Sequence, residues 1–274
     1  MVSVKQGIAR RVEALLGSGE VDLARADGDV GLFGPGSASW VVHGDFSSML
    51  IGGVSALLVQ MLHPRALAGI WDHSGFRRNM VGRLRRTAQF VGVATYGSTP
   101  QVEAAVARVR RVHGSVRGAL PDGTPYSADD PALLTWVHVA EVDAFLRAHL
   151  RYRDPWFPPE RQDAYLAEQA RLARMLGAGD VPETRGELQA YFRRVRPELR
   201  ADERTREVSR LMLAQPSPSL ATAPANALML RAGVDLLPGW ARRMHGLRVP
   251  FPGAPAVRAG ALGVGGVLRW AMAR

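Results

Sequence analysis

The run from Phe46 to Pro64 covers nineteen residues without one Asp, Glu, Lys or Arg. A stretch that long and uncharged must leave water, either for a bilayer or for a protein core. It carries Ser47, Ser48, Ser55, Gln60 and His63 as well as Gly52 and Gly53, too many polar and small groups for a membrane span. The reading is a helix buried on all sides, opened by Asp45 as N-cap and running to about Leu62, with a further turn over Pro64 to Ile70. Such a helix needs neighbours on every face, and the rest of the chain provides helices. Thr99-Pro100 and Asp130-Pro131 each set a capping side chain before a proline at the first helical position. They start helices that run to about Arg117 and Arg151. Further helical patterns cover roughly 4–16, 160–176, 184–195, 201–214, 222–235, 239–245 and 256–272. Strand patterns are nearly absent, with only Ser37 to Val42 read as a short extended segment. The expected fold is a single all-α domain.

Composition narrows the chemistry. The 274 residues include no cysteine, which removes disulfides, thiolate zinc sites, iron–sulfur clusters, cysteine-ligated haem and cysteine nucleophiles. The formal net charge is +10, yet Lys5 is the only lysine among 35 basic residues. That skew reads as codon usage spread along the chain, and binding to nucleic acid is not expected. The first residues, MVSVKQGIARRVEALLG, hold no apolar core of signal-peptide length, so the expected setting is cytoplasmic with no integral membrane span. P-loop, HExxH and G-x-S-x-G patterns are missing. The residues three before the seven histidines are Trp40, Gln60, Ile70, Arg110, Thr135, Leu146 and Arg242. None is acidic, which disfavours a carboxylate-bridged di-iron site built on Glu-x-x-His pairs.

What remains is single histidines and one arginine cluster. In the helix after Thr99, Val102, Ala105, Val106, Val109, Val112 and Val116 recur at spacings that make one apolar stripe, and His113 lies on it. A buried imidazole must find a partner. Two readings stand: a core histidine bonded to a carbonyl, or one axial ligand to a haem iron in an apolar helical pocket. His138, with Leu134, Val137, Glu141 and Phe145 around it, poses the same question, and Glu141 is placed to orient the ring. His63 stands at a helix end where it can bond free carbonyls, while His43, His149 and His245 are read as surface residues. Arg77, Arg78, Arg83, Arg85 and Arg86 precede Thr87. On a helix Arg83 and Thr87 face the same way beside Arg86, able to grip a carboxylate or phosphate, or else to form a solvated charged face.

Several blocks together carry a resemblance: Leu62-His63-Pro64, Asp72-His73-Ser74-Gly75-Phe76, Arg83-Leu84-Arg85-Arg86-Thr87, Val112-His113-Gly114-Ser115-Val116-Arg117-Gly118, Tyr126-Ser127-Ala128-Asp129-Asp130-Pro131 and Trp136-Val137-His138. In this order the chain resembles the latex-clearing protein and MpaB-type oxygenase family of haem b proteins over residues 37–145. The resemblance implies a globin-like all-α core around haem b and cleavage of isoprenoid carbon–carbon double bonds with dioxygen. It divides the chain into a peripheral segment 1–36, a family-like core 37–150 and a helical remainder 151–274. It sets His113 as the iron ligand and Arg83 and Thr87 as the Arg-x-x-x-Thr pair beside the haem, with His63 and His138 as further cofactor-binding candidates. Arg86 stands where rubber-cleaving members carry a distal lysine; arginine stays protonated, so an open distal face is expected, with Arg86 and Thr87 as catalytic hydrogen-bond donors. The chain is shorter than rubber oxygenases and lacks their export signal, which points to a small apolar or isoprenoid-like substrate used with O2. A haem-binding sensor or carrier without turnover, and a haem-free helical ligand-binding protein, are the alternatives.

Overall fold

The computed structural model describes residues 28–217, 219–248 and 253–273. The expected helix over 4–16 lies outside them. The described chain is helical from end to end apart from one two-stranded hairpin.

Ser37 opens helix α1 (Ala38–His43), its hydroxyl accepting from the Trp40 amide, so the segment expected to be extended is a helix. The correction has a local cause. A hydroxyl cap three residues ahead of a free amide satisfies one of the orphan donors of a helix start. Asp45 then caps α2 (Phe46–Gln60), accepting from the Ser48 amide at 2.8 Å, as expected. The uncharged run does not continue straight: α3 (Pro64–His73) leaves at 104° to α2, with Pro64 in its first turn. No single described helix is long and apolar enough to cross a membrane.

Helix α4 (Met80–Tyr96) starts on Asn79, and α5 (Thr99–Gly114) starts on Ser98 in a capping box with Gln101. The expected cap, Thr99, is the first helical residue, and its hydroxyl donates to Asp29 instead. Helix α5 stops at Gly114, short of the expected Arg117. Arg117–Ala119 forms β1, paired antiparallel with β2 (Pro125–Ser127) in the register Arg117↔Ser127 and Ala119↔Pro125. Tyr126 ties this hairpin to the end of α3: its hydroxyl donates to Asp72 at 2.6 Å and lies 3.2 Å from His73 Nε2. A side chain at Gly118 would meet that hydroxyl at 2.5 Å, so glycine is required there.

Asp130-Pro131 launches α6 (Pro131–Tyr152), the longest helix described. It is followed by α7 (Pro159–Leu176), α8 (Arg185–Val195), α9 (Glu203–Leu213), α10 (Ala223–Leu236), α11 (Gly239–Met244) and α12 (Gly253–Met272). The core forms where α2 and α6 lie against each other. Trp136 Nε1 donates to the Gln60 carbonyl at 3.0 Å, and Gln60 Nε2 returns to Val137 O at 2.9 Å. Gly52 permits this approach, because a Cβ there would sit 2.8 Å from the Phe145 ring. Helix α10 closes on α2 at Gly233 in the same way, against Val54.

The far side is held by charge. Asp235, whose side chain is wholly buried, meets Arg258 at 2.7 Å, Arg151 at 3.1 Å and Arg242 at 3.8 Å, joining α12, α6 and α11 to α10. Arg269 near the end of α12 reaches the cap residue Asp45 at 3.0 Å. The α4–α5 hairpin packs on α1 and α7, and makes no comparable contact with α2 or α6.

Candidate functional site

Val102 and Val106 of α5 are buried against Ala94 of α4 and Leu172 of α7. Continuing the stripe, Val109 and then His113 are partly buried, whereas Val112, placed by the sequence on the same stripe, is 54% exposed. The α-helical advance of about 100° per residue carries Val112 off the face that the alternating three- and four-residue spacing keeps inward. His113 Nδ1 is sealed from solvent and has no hydrogen-bond partner among the described residues. Burial lowers its pKa; Asp129 opposes the shift and Arg83 adds to it. The ring is therefore a neutral imidazole with a free nitrogen.

Arg83, on α4, is near enough for its charge to act on that ring. Its guanidinium forms no ion pair among the described residues, and burial, then Arg86, lowers its pKa. A cation partly removed from water without an anion is costly, and a ligand carboxylate at that place would relieve the cost. The chain thus brings within electrostatic reach two groups 30 positions apart in sequence: a neutral imidazole and a guanidinium, each lacking a partner among the described residues. Arg86 and Thr87 follow Arg83 on an exposed part of α4, and the Thr87 hydroxyl turns back to the Arg83 carbonyl at 3.3 Å.

His138 occupies another face of α6, in line with Glu141, Phe145 and His149 at spacings of three and four. Its Nε2 is buried without a partner, and burial brings its pKa down to about 4. Glu141 does not orient it: no hydrogen bond joins the two side chains. The Glu141 carboxyl, pushed up to about 7 by burial, is instead an unused proton-holding group inside the bundle.

Three histidines read as surface residues are buried. His43 is 8% exposed, with Nδ1 2.8 Å from Thr95 Oγ1 and Nε2 2.9 Å from the Tyr165 hydroxyl; burial, then the nearby His149 and His138, lowers its pKa to about 3. His149 is 1% exposed, and neither ring nitrogen has a partner among the described residues. His245 bonds the Leu58 carbonyl at 2.7 Å. Each lies near the end of a helix, where sequence suggests exposure, but crossing helices cover these ends.

His63 belongs to a different neighbourhood. It bonds no carbonyl through its side chain; Nδ1 is unpartnered, Nε2 is 3.6 Å from Glu198, and the ring tilts on Trp136. Burial, then Arg65, depresses its pKa to about 4. The groups that sequence reasoning missed are Glu141 as a buried acid and the imidazole cluster of His43 and His149. Glu141 and His149 share a helical register with His138 on α6, which is their only sequence signal; His43, on α1, has none.

This donor set suits a haem better than a bare ion. Among the described residues no group of three or more His, Asp or Glu side chains could hold a metal. A haem asks the chain for less: one free imidazole and a cation for its carboxylates, which His113 and Arg83 provide.

A family model described as the ER-bound oxygenase mpaB/B′/rubber oxygenase catalytic domain matches residues 40–272. The match runs through the helices after residue 150 as well as the blocks before it. Neither curated proteins nor solved structures gave a match.

Proposed function

We propose that this chain, which belongs to the mpaB/rubber oxygenase catalytic-domain family, is a haem b-dependent oxygenase that uses O2 to cleave a carbon–carbon double bond in a small apolar or isoprenoid-like substrate. The oxygenase class follows from the family; haem dependence, substrate and residue roles are the proposal. The observation that carries it is the neutral imidazole of His113, with a nitrogen unpartnered among the described residues, within electrostatic reach of Arg83, which forms no ion pair among them.

In this reading His113 ligates the iron and Arg83 pairs with a propionate. The haem, when bound, supplies the centre at which dioxygen is activated. Arg86 and Thr87, one turn from Arg83, are the donors we assign to the substrate; both are exposed in the chain by itself, and the Thr87 hydroxyl would have to leave the Arg83 carbonyl to serve. His138 and His63 are neutral at pH 7 and stand as cofactor-binding candidates.

The test is an absorption spectrum of protein expressed with ample haem, followed by oxygen uptake with added short isoprenoid alkenes. A Soret band with alkene-dependent uptake is expected, and Arg86→Leu should slow uptake while keeping haem. Protein that never takes up haem would overturn the cofactor assignment. Haem without uptake on any alkene would favour a carrier.

A further inference from the structure

Another face of α6, turned away from His138 and Glu141, borders a cleft of about 300 Å³. Its floor is apolar: Leu146 and Leu150 of α6, Leu188 and Phe192 of α8, and Trp240 of α11. Its rim is cationic, with Arg147, Arg185, Arg193 and Arg196 around it and Asp143 as the single carboxylate. None of these four arginines forms an ion pair among the described residues, although nine others do. Arg196 lies over the Trp240 ring at 4.8 Å, so its charge is drawn in toward the floor. Arg147 spends Nη2 on the Leu236 carbonyl at 3.0 Å, and its Nε is buried with no acceptor among the described residues.

An apolar cavity with a few converging polar groups is the usual form of a small-molecule site. Here the converging groups are planar forks that match a carboxylate or phosphate, and no carboxylate among the described residues comes within ion-pair reach of them. We propose that this cleft is a second ligand site, separate from His113 and Arg83, which takes an amphiphilic anion: a carboxylate or phosphate on a short apolar chain. The headgroup sits among the rim guanidiniums, and the chain lies on Phe192, Leu188 and Trp240. The site does not depend on haem or on turnover.

Calorimetric titration of the intact protein with decanoate, decyl phosphate and decanol tests this. Saturable binding of at least one anion is expected, with decanol weaker by about tenfold or more, as for loss of charge-assisted hydrogen bonds. The tighter of decanoate and decyl phosphate identifies the headgroup. Arg193→Gln/Arg196→Gln, both on the exposed rim, should weaken that anion about tenfold, while Arg206→Gln/Arg210→Gln, an equal loss of charge on α9, should not. Asp143→Asn should tighten binding by removing the opposing charge. Decanol binding as well as the anions, inorganic phosphate binding as well as decyl phosphate, equal losses in the two double variants, or no saturable binding would each overturn the proposal.

Discussion

His113 and Arg83 show how one side chain's cost can point to its use. An imidazole nitrogen sealed without a partner, and a guanidinium partly buried without an anion, among the described residues each carry a cost in stability. Under the haem reading His113→Ala loses the Soret band and keeps its helical circular dichroism, because the ring makes no hydrogen bond that folding needs. Retention of haem in that variant, with loss in His138→Ala, would transfer the ligand to α6. Arg83→Leu should weaken haem binding by about 1–3 kcal/mol, the range for a hydrogen bond to a charged group. Haem transfer to a scavenging apoprotein measures this, and an unchanged release rate would remove Arg83 from the site. The blocks around both residues are readable in the sequence as a resemblance. Their mutual approach is not, since it depends on how α4 and α5 turn at Gly97 and Ser98.

At the scale of elements, glycines decide how closely helices approach. A Cβ at Gly52 would fall 2.8 Å from Phe145 Cδ1 and 3.2 Å from the Ala144 carbonyl, so α2 and α6 would have to part. Gly52→Ala should cost about 1–3 kcal/mol despite alanine's better helix propensity, since overpacking outweighs it. A Cβ at Gly263 in α12 would meet nothing within 4 Å, so Gly263→Ala should gain about 0.5–1 kcal/mol from the lost freedom of glycine in the unfolded chain. Urea unfolding of the two variants checks both signs, and a stabilised Gly52→Ala would mean the contact yields. Helix starts are legible here because a cap acts within three residues: Asp45 and Asp130 do as their sequence suggests. Ser37 to Val42 reads as extended because its cap is a lone serine before a single short turn. The Arg117–Ser127 hairpin leaves no sequence signal because three-residue strands are too short to show alternation.

For the whole molecule, buried titrating groups set the response to acid. His43, His63 and His138 are held at about 3, 4 and 4, below the ordinary 6.5, so each gives up a proton on folding. Their contribution is intact above pH 6.5 and is lost as the pH falls toward 4. Glu141 and Asp143, raised to about 7 and 6, act the other way: they favour the folded state as acid protonates them. Each of the three imidazoles is displaced at least as far as either carboxyl, so the imidazoles win. The haem-free protein should lose stability between about pH 6.5 and 4, and Glu141→Gln should gain stability relative to the parent above about pH 5, on the order of 2 kcal/mol at pH 7. Thermal melts across that range measure both, and a flat profile would contradict the burial of the rings. The helical class and most helix bounds followed from the sequence alone, because caps, prolines and a charge-free run act on neighbours within a turn or two. Only tertiary structure decided which histidines are buried and that the charge of Arg83 reaches His113. It also decided that Asp235 holds three helices together. Each of these depends on helices crossing far along the chain, and local chemistry holds no record of the crossing.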